Sequence, residues 1–132
     1  MATFPFELVS PEKISFSGAA ESVTLPAEEG ELMILSGHAP LIASLKTGLL
    51  VISLPDHKNI RFLITGGFLD IGEGRMAVLA ENAYNETEWT AEIFDRELEK
   101  CRATFEACEI FEERVLIEEN INKLQQLRDS AL

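Results

Sequence analysis

GELMILSGHAPLIASLKTG, residues 30–48, is the stretch whose reading decides the fold of this chain. It reads as strand, tight turn, strand: Leu32–Leu35, then Ser36-Gly37-His38-Ala39-Pro40, then Leu41–Lys46. Gly30 and Gly37 permit backbone angles closed to other residues, so the tips can be sharp. Pro40 stiffens the returning strand. Leu32, Met33 and Ile34 form an apolar run able to bury one face in a core and offer the other to a partner, a pattern that ordinary burial of both faces would also give. His38 sits at the tip. A hairpin of this kind either holds a corner of the fold or presents its tip to another molecule.

Outward from this segment the chain has two grammars. All eight glycines lie at or before Gly74 and all five prolines at or before Pro55. Both residues punctuate turns, so turn-rich β structure is expected to end near residue 84. Short apolar or alternating runs fill that part: Phe4–Val9, Ile14–Ser17, Ala20–Leu25, Leu49–Leu54, Ile60–Thr65, Phe68–Ile71 and Met76–Ala80. Their spacing, broken at Thr47-Gly48 and Gly66-Gly67 among others, predicts a flattened antiparallel sandwich or barrel. Gly66-Gly67 lacks the pattern of a phosphate loop and reads as a bulge or close backbone approach. His57 falls in a polar turn.

Beyond residue 85 the period changes. Thr90 is placed to cap a helix, with Glu92 in its first turn. Phe94, Leu98, Cys101, Phe105 and Cys108 make one helical stripe. Ile110, Ile117, Ile121, Leu124 and Ala131 make a second, out of phase with the first. A turn between Phe105 and Glu112 reconciles them and predicts a helical hairpin, with one long helix as the alternative because no glycine marks the turn. The class is therefore α+β, with residues 1–84 a β domain and residues 85–132 a helical arm.

Composition limits function. Net charge is −12, with residues 1–89 at −7 and residues 90–132 at −5, which argues against nucleic acid as a direct partner. No apolar run reaches the ~18–20 residues of a membrane span. The opening MATFPFELVSPEK has the pattern of neither a signal peptide nor a transit peptide. Cys101 and Cys108, about 10 Å apart along a helix, are too far apart for a disulfide and read as small core residues. They have no nearby histidine to complete a zinc site, and no metal is expected. No catalytic constellation stands out, although a small hydrolase using His38 with Glu31 or Asp70 is one conceivable reading.

Three segments together carry a family likeness: the Gly30–Gly48 stretch, Gly66-Gly67-Phe68-Leu69-Asp70, and Val78-Leu79-Ala80-Glu81-Asn82-Ala83. Leu8-Val9-Ser10-Pro11-Glu12 and Phe16-Ser17-Gly18 agree with them. Over residues 4–84 the chain resembles the ε-subunit family of bacterial F-type ATP synthases. The resemblance implies a β-sandwich followed by a helical hairpin, and a non-catalytic rotor subunit without a cofactor. It implies the γ subunit and the membrane c-ring as partners, with the α and β subunits of the head as further candidates. Contact with them is expected at Glu31, Leu32, Met33, Ser36, Gly37, His38, Ala39 and Pro40. Location is expected at the cytoplasmic side of a bacterial inner membrane, held indirectly through the complex. For His38, a contact role and a turn held by local hydrogen bonds both stand open.

The arm departs from the family pattern. Some members bind ATP through an Ile/Leu-Asp-x-x-Arg-Ala segment. Here Trp89, Thr90, Ile93 and Phe94 fall at those positions, without the acid or the arginine, which argues against ATP sensing. Other members inhibit ATP hydrolysis through basic side chains on the arm. An arm of net −5 would repel an acidic target, though Lys123 and Arg128 remain near its end. Phe94, Phe105 and Phe111 read as packing residues. A sandwich with a mobile arm that senses nucleotide on its own is the alternative function.

Overall fold

In the computed structural model, which describes residues 2–131, Phe4, Phe6 and Leu8 are buried while Pro5 and Glu7 are exposed. That period of two is a strand with one face inward. It forms β1 (Phe4–Val9), followed by β2 (Ile14–Ala20), β3 (Ser22–Ala27), β4 (Gly30–Leu35), β5 (Leu41–Ser53), β6 (Asn59–Gly72), β7 (Arg75–Ala80) and β8 (Ala83–Asn85). A short 3-10 turn at Glu86–Glu88 leads to α1 (Ala91–Ala107) and α2 (Phe111–Ala131). Two compact units result, one running to Thr87 and the other starting at Glu88.

The strands form one sheet in the order β2-β1-β7-β6-β5-β3-β4, with β8 added to β6. Pairs are antiparallel except β1 with β7, which run parallel. The long strands β5 and β6 pair from Leu41↔Ile71 to Ser53↔Asn59, and the ladder is interrupted at Lys46 and Gly66. On one side of that interruption β6 continues to β7, β1 and β2. On the other side β5 pairs with β3 at Val51–Ser53 and β6 with β8, and the Ala27↔Leu45 pair carries β3 across the interruption. Inward side chains from both sides, among them Phe6, Leu8, Val23, Leu25, Leu50, Ile52 and Val78, join one core. This is the expected β-sandwich. Burying each such side chain contributes about 1.5–3 kcal/mol.

The Gly30–Gly48 segment is not a hairpin, and that expectation is corrected. β4 pairs with β3, from Ala27↔Gly30 to Ser22↔Leu35, and β3 also pairs with β5. β3 therefore lies between β4 and β5 in the sheet. The two residues Glu28-Glu29 close the β3–β4 hairpin, a tighter link than the five residues Ser36–Pro40. Ser36–Pro40 is instead a crossover that leaves β4 at the edge of the sheet.

Two expected breaks are also absent. Thr47-Gly48 lies inside β5 and Gly66-Gly67 inside β6. A Cβ on Gly48 would lie 2.7 Å from Pro26 Cβ, so the glycine admits the neighbouring strand and ends nothing. Gly67 has φ +137° and its missing Cβ would lie 2.0 Å from the Leu79 carbonyl oxygen, the close backbone approach expected there. His57 is exposed, with φ +68°, and the Asp56 carboxylate accepts the Lys58 N–H at 3.1 Å.

In the second unit Thr90 is extended (φ −138°, ψ 160°) and its hydroxyl accepts the Ile93 N–H at 3.3 Å, the predicted cap. α1 and α2 pack as a hairpin joined by 108–110. Arg128 donates to Asp95 at 2.8 Å, tying the end of α2 to the start of α1. At the other end the Arg114 guanidinium sits 4.1 Å from the centre of the Phe105 ring. Phe94, Leu98, Leu124 and Leu127 are buried. Three expectations fail here. Cys101 and Cys108 are half-buried, not core residues, and Cys108 caps α1 through its N–H to the Phe105 carbonyl at 3.3 Å. Phe111 is 74% exposed and packs on little, because it opens α2 beside the turn. Ile110 and Ala131 fall at the ends of the second stripe and are exposed too.

Candidate functional site

β4 is the last strand of the sheet, hydrogen-bonded to β3 along one side only. Its alternation puts Ile34 in the core, Leu32 half-buried, and Glu31, Met33 and Leu35 outward. Met33 is 64% exposed. An apolar outward row on an edge strand invites a partner or aggregation unless it is covered. Ser36, Gly37, His38, Ala39 and Pro40 follow, all exposed. Gly37 takes φ +84°, which lets the chain leave the strand sharply.

His38 is held locally. Its N–H donates to the Leu35 carbonyl at 3.3 Å, and its Nδ1 lies 2.7 Å from the Ala39 carbonyl oxygen. A carbonyl oxygen only accepts, so Nδ1 is the donor of that contact. Among the described residues no hydrogen bond or ion pair joins His38 to Glu31 or Asp70. That geometry gives a hydrolytic pairing no support.

The eight candidate residues do not gather into one patch. Glu31 opens β4 and Ser36–Pro40 follow its far end, about 16 Å away at the rise of a strand. Around Glu31 is a groove of about 530 Å³ that also takes in Glu28, Glu29 and Ile42. Three carboxylates at one turn bias it toward cationic partners. Under Ser36–His38 lies a smaller recess of about 130 Å³, floored by Ile71 and Met76 with Arg75 at its side.

A further surface escaped sequence reasoning. Register places Ile14 beside Val9, Val9 beside Leu79, and Leu79 beside Phe68. All four face outward on adjacent strands, and Ile14, Leu79 and Phe68 are 63%, 54% and 55% exposed. The row is invisible in the letters because its members lie up to 70 positions apart and meet only through pairing.

At the start of the arm, Thr90 is spent on the helix cap and Trp89 packs edge-on against Phe94, ring centres 5.7 Å apart. Those positions serve local structure. Among the described residues no helix is long and apolar enough to cross a membrane, and no group of three or more potential metal ligands gathers.

Residues 3–86 match the family model of the ATP synthase delta/epsilon chain β-sandwich domain. The ATP synthase epsilon chain of Afipia carboxidovorans is 40% identical over 100 residues, spanning 76% of this chain and 73% of the relative. That of Chelativorans sp. is 33% identical over 130 residues, 98% and 96% of the two chains. A chain in the Euglena gracilis mitochondrial ATP synthase structure (OSCP/F1/c-ring) superposes with TM-score 0.74 at 21% identity, covering 100% of this chain and 83% of that one. A chain in the Tetrahymena thermophila mitochondrial ATP synthase central stalk and c-ring gives 0.57 at 16% identity, covering 89% and 95%. These two likenesses bear on the fold alone.

Proposed function

The chain belongs to the family of ATP synthase delta/epsilon chains, and from that premise we propose that it is a non-catalytic central-stalk subunit that clamps the γ subunit to the c-ring. Proton-driven rotation of the ring then reaches the catalytic head. The observation that carries this reading is the outward apolar row Ile14–Val9–Leu79–Phe68, spread over four adjacent strands. A free-standing sandwich gains nothing by keeping such a row in water. Covering each of its three exposed members, 54–63% open, by a partner contributes about 1–2 kcal/mol before the cost of association.

Ser36–Pro40, with Glu31, Leu32 and Met33 along the same edge strand, is assigned to contact with the ring and γ. The task needs fit and stiffness, and no side chain is asked to make or break a bond. The chain is then peripheral to the bacterial inner membrane, on its cytoplasmic side, held there by the complex. The arm contributes little inhibition of hydrolysis. Its charge is unfavourable for an acidic target, and Arg128 is engaged by Asp95.

Reconstitution tests the reading. ATP synthase stripped of this subunit should regain proton-driven ATP synthesis when the chain is added back. A stripped complex that couples equally well without it refutes the clamp.

A further inference from the structure

Glu21 lies in the link between β2 and β3, where its N–H donates to the Ser53 carbonyl at 2.8 Å. The residue is 9% exposed, and its Oε1 has no hydrogen-bond partner among the described residues. A buried carboxylate oxygen without a donor is costly, and folds keep one where a donor arrives. Glu21 borders a recess of about 380 Å³ whose walls include Ser22, Ser36, Ser53, His57 and Leu35.

The chemistry of the recess selects its occupant. It holds one carboxylate and neither a lysine nor an arginine. A divalent cation would want about six or more oxygen ligands or a cluster of charged ones, which one carboxylate does not supply. A basic side chain fits better. Its cationic end meets Glu21, its remaining N–H groups meet the serine hydroxyls, and its methylene stem lies on Leu35. Ser36 belongs both to this recess and to the exposed Ser36–Pro40 crossover, so a protein seated on the crossover lies at the mouth.

We propose that the Glu21 recess receives a lysine or arginine side chain from the protein that docks on Ser36–Pro40. The inference rests on the assignment of that crossover to partner contact. Pairing with a cationic donor from outside explains why a carboxylate is kept where no lysine or arginine of this chain lines the recess.

The test uses the full chain and the ATP synthase complex stripped of it. Binding is titrated at several salt concentrations for wild type and Glu21→Gln, and the free chains are melted. Glu21→Gln should bind at least fivefold more weakly, with a flatter salt dependence and a melting temperature no lower than wild type. Binding within fivefold of wild type overturns the proposal and means that the recess holds water or nothing charged. If Glu21→Gln does not fold, Ser53→Lys decides. A lysine supplied in cis should occupy the recess, raise the melting temperature and weaken docking at least fivefold; docking unchanged overturns the proposal. Failure of the wild-type chain to bind the stripped complex refutes the clamp and this inference with it, whereas normal binding by Glu21→Gln removes this inference alone.

Discussion

Replacing Gly67 by alanine should be the most damaging single methyl addition in the sandwich. A Cβ there would lie 2.0 Å from the Leu79 carbonyl oxygen and 2.8 Å from Ala80 Cα, both of them backbone atoms. Neither can swing aside as a side-chain tip can. Ordinary contact requires β7 to retreat from β6 by more than an ångström, which breaks the ladder where Gly67 faces Ala80. The backbone adds strain of its own, because φ +137° is poor for an L-residue, at about 1–3 kcal/mol. One ladder hydrogen bond lost adds about 1 kcal/mol. The sum, about 2–4 kcal/mol, is a large share of the ~5–15 kcal/mol that holds a domain together. In a unit of this size each kcal/mol lowers the melting temperature by roughly 4–8 °C, so a drop of about 10 °C or more is expected. Gly74 is the control: its φ is +68°, but an added Cβ meets nothing within 4 Å. Gly74→Ala should cost only about 1 kcal/mol. Thermal unfolding of the full chain followed by circular dichroism compares the two. If Gly67→Ala melts no lower than Gly74→Ala, the close-approach argument is wrong.

Three other outcomes are expected. Phe68→Ser with Leu79→Ser removes a cross-strand pair whose members are about half exposed, so the chain should lose about 1 kcal/mol per site yet still fold, while binding to the stripped complex should fall roughly tenfold; unchanged binding would take the outward row out of the interface. Thr90→Ala deletes the cap on α1 and should destabilise the helical unit by about 1 kcal/mol, read as earlier loss of helical circular dichroism on heating. A chain ending at Thr87, which keeps β8 whole, should still melt cooperatively, and enzyme assembled with it should hydrolyse ATP within about twofold of the intact enzyme's rate; a several-fold rise would show the arm to be a strong inhibitor.

What could be read from the letters was what neighbours in sequence decide. β1 over Phe4–Val9, the Thr90 cap and the turn between the two helical stripes each depend on a few adjacent residues, and each stands where expected. The glycines misled in two places. Gly48 and Gly66-Gly67 look like punctuation, yet they sit inside long strands, where a side chain on Gly48 would strike Pro26 and one on Gly67 the backbone of β7. Pairing misled in a third. The links after β3 and after β4 both look like turns, and only long-range registration puts β3 between β4 and β5. The same limit applies to the candidate site. Exposure of Ser36–Pro40 was legible from its glycine and proline. The separation of Glu31 from His38 by the length of β4, and the row from Ile14 to Phe68, exist only once strands distant in sequence are paired. The recess at Glu21 belongs to the same class, since its walls come from five separate segments.

The central claim is mechanical: this chain joins the shaft of the synthase to its ring. Affinity isolation of the tagged full-length chain from mildly solubilised membranes tests it most directly. The account predicts that γ and the c subunit return with it in a fixed ratio that survives moderate salt, as expected of contacts that include an apolar face. Recovery of the chain alone, or with one of the two at random ratio, would contradict it.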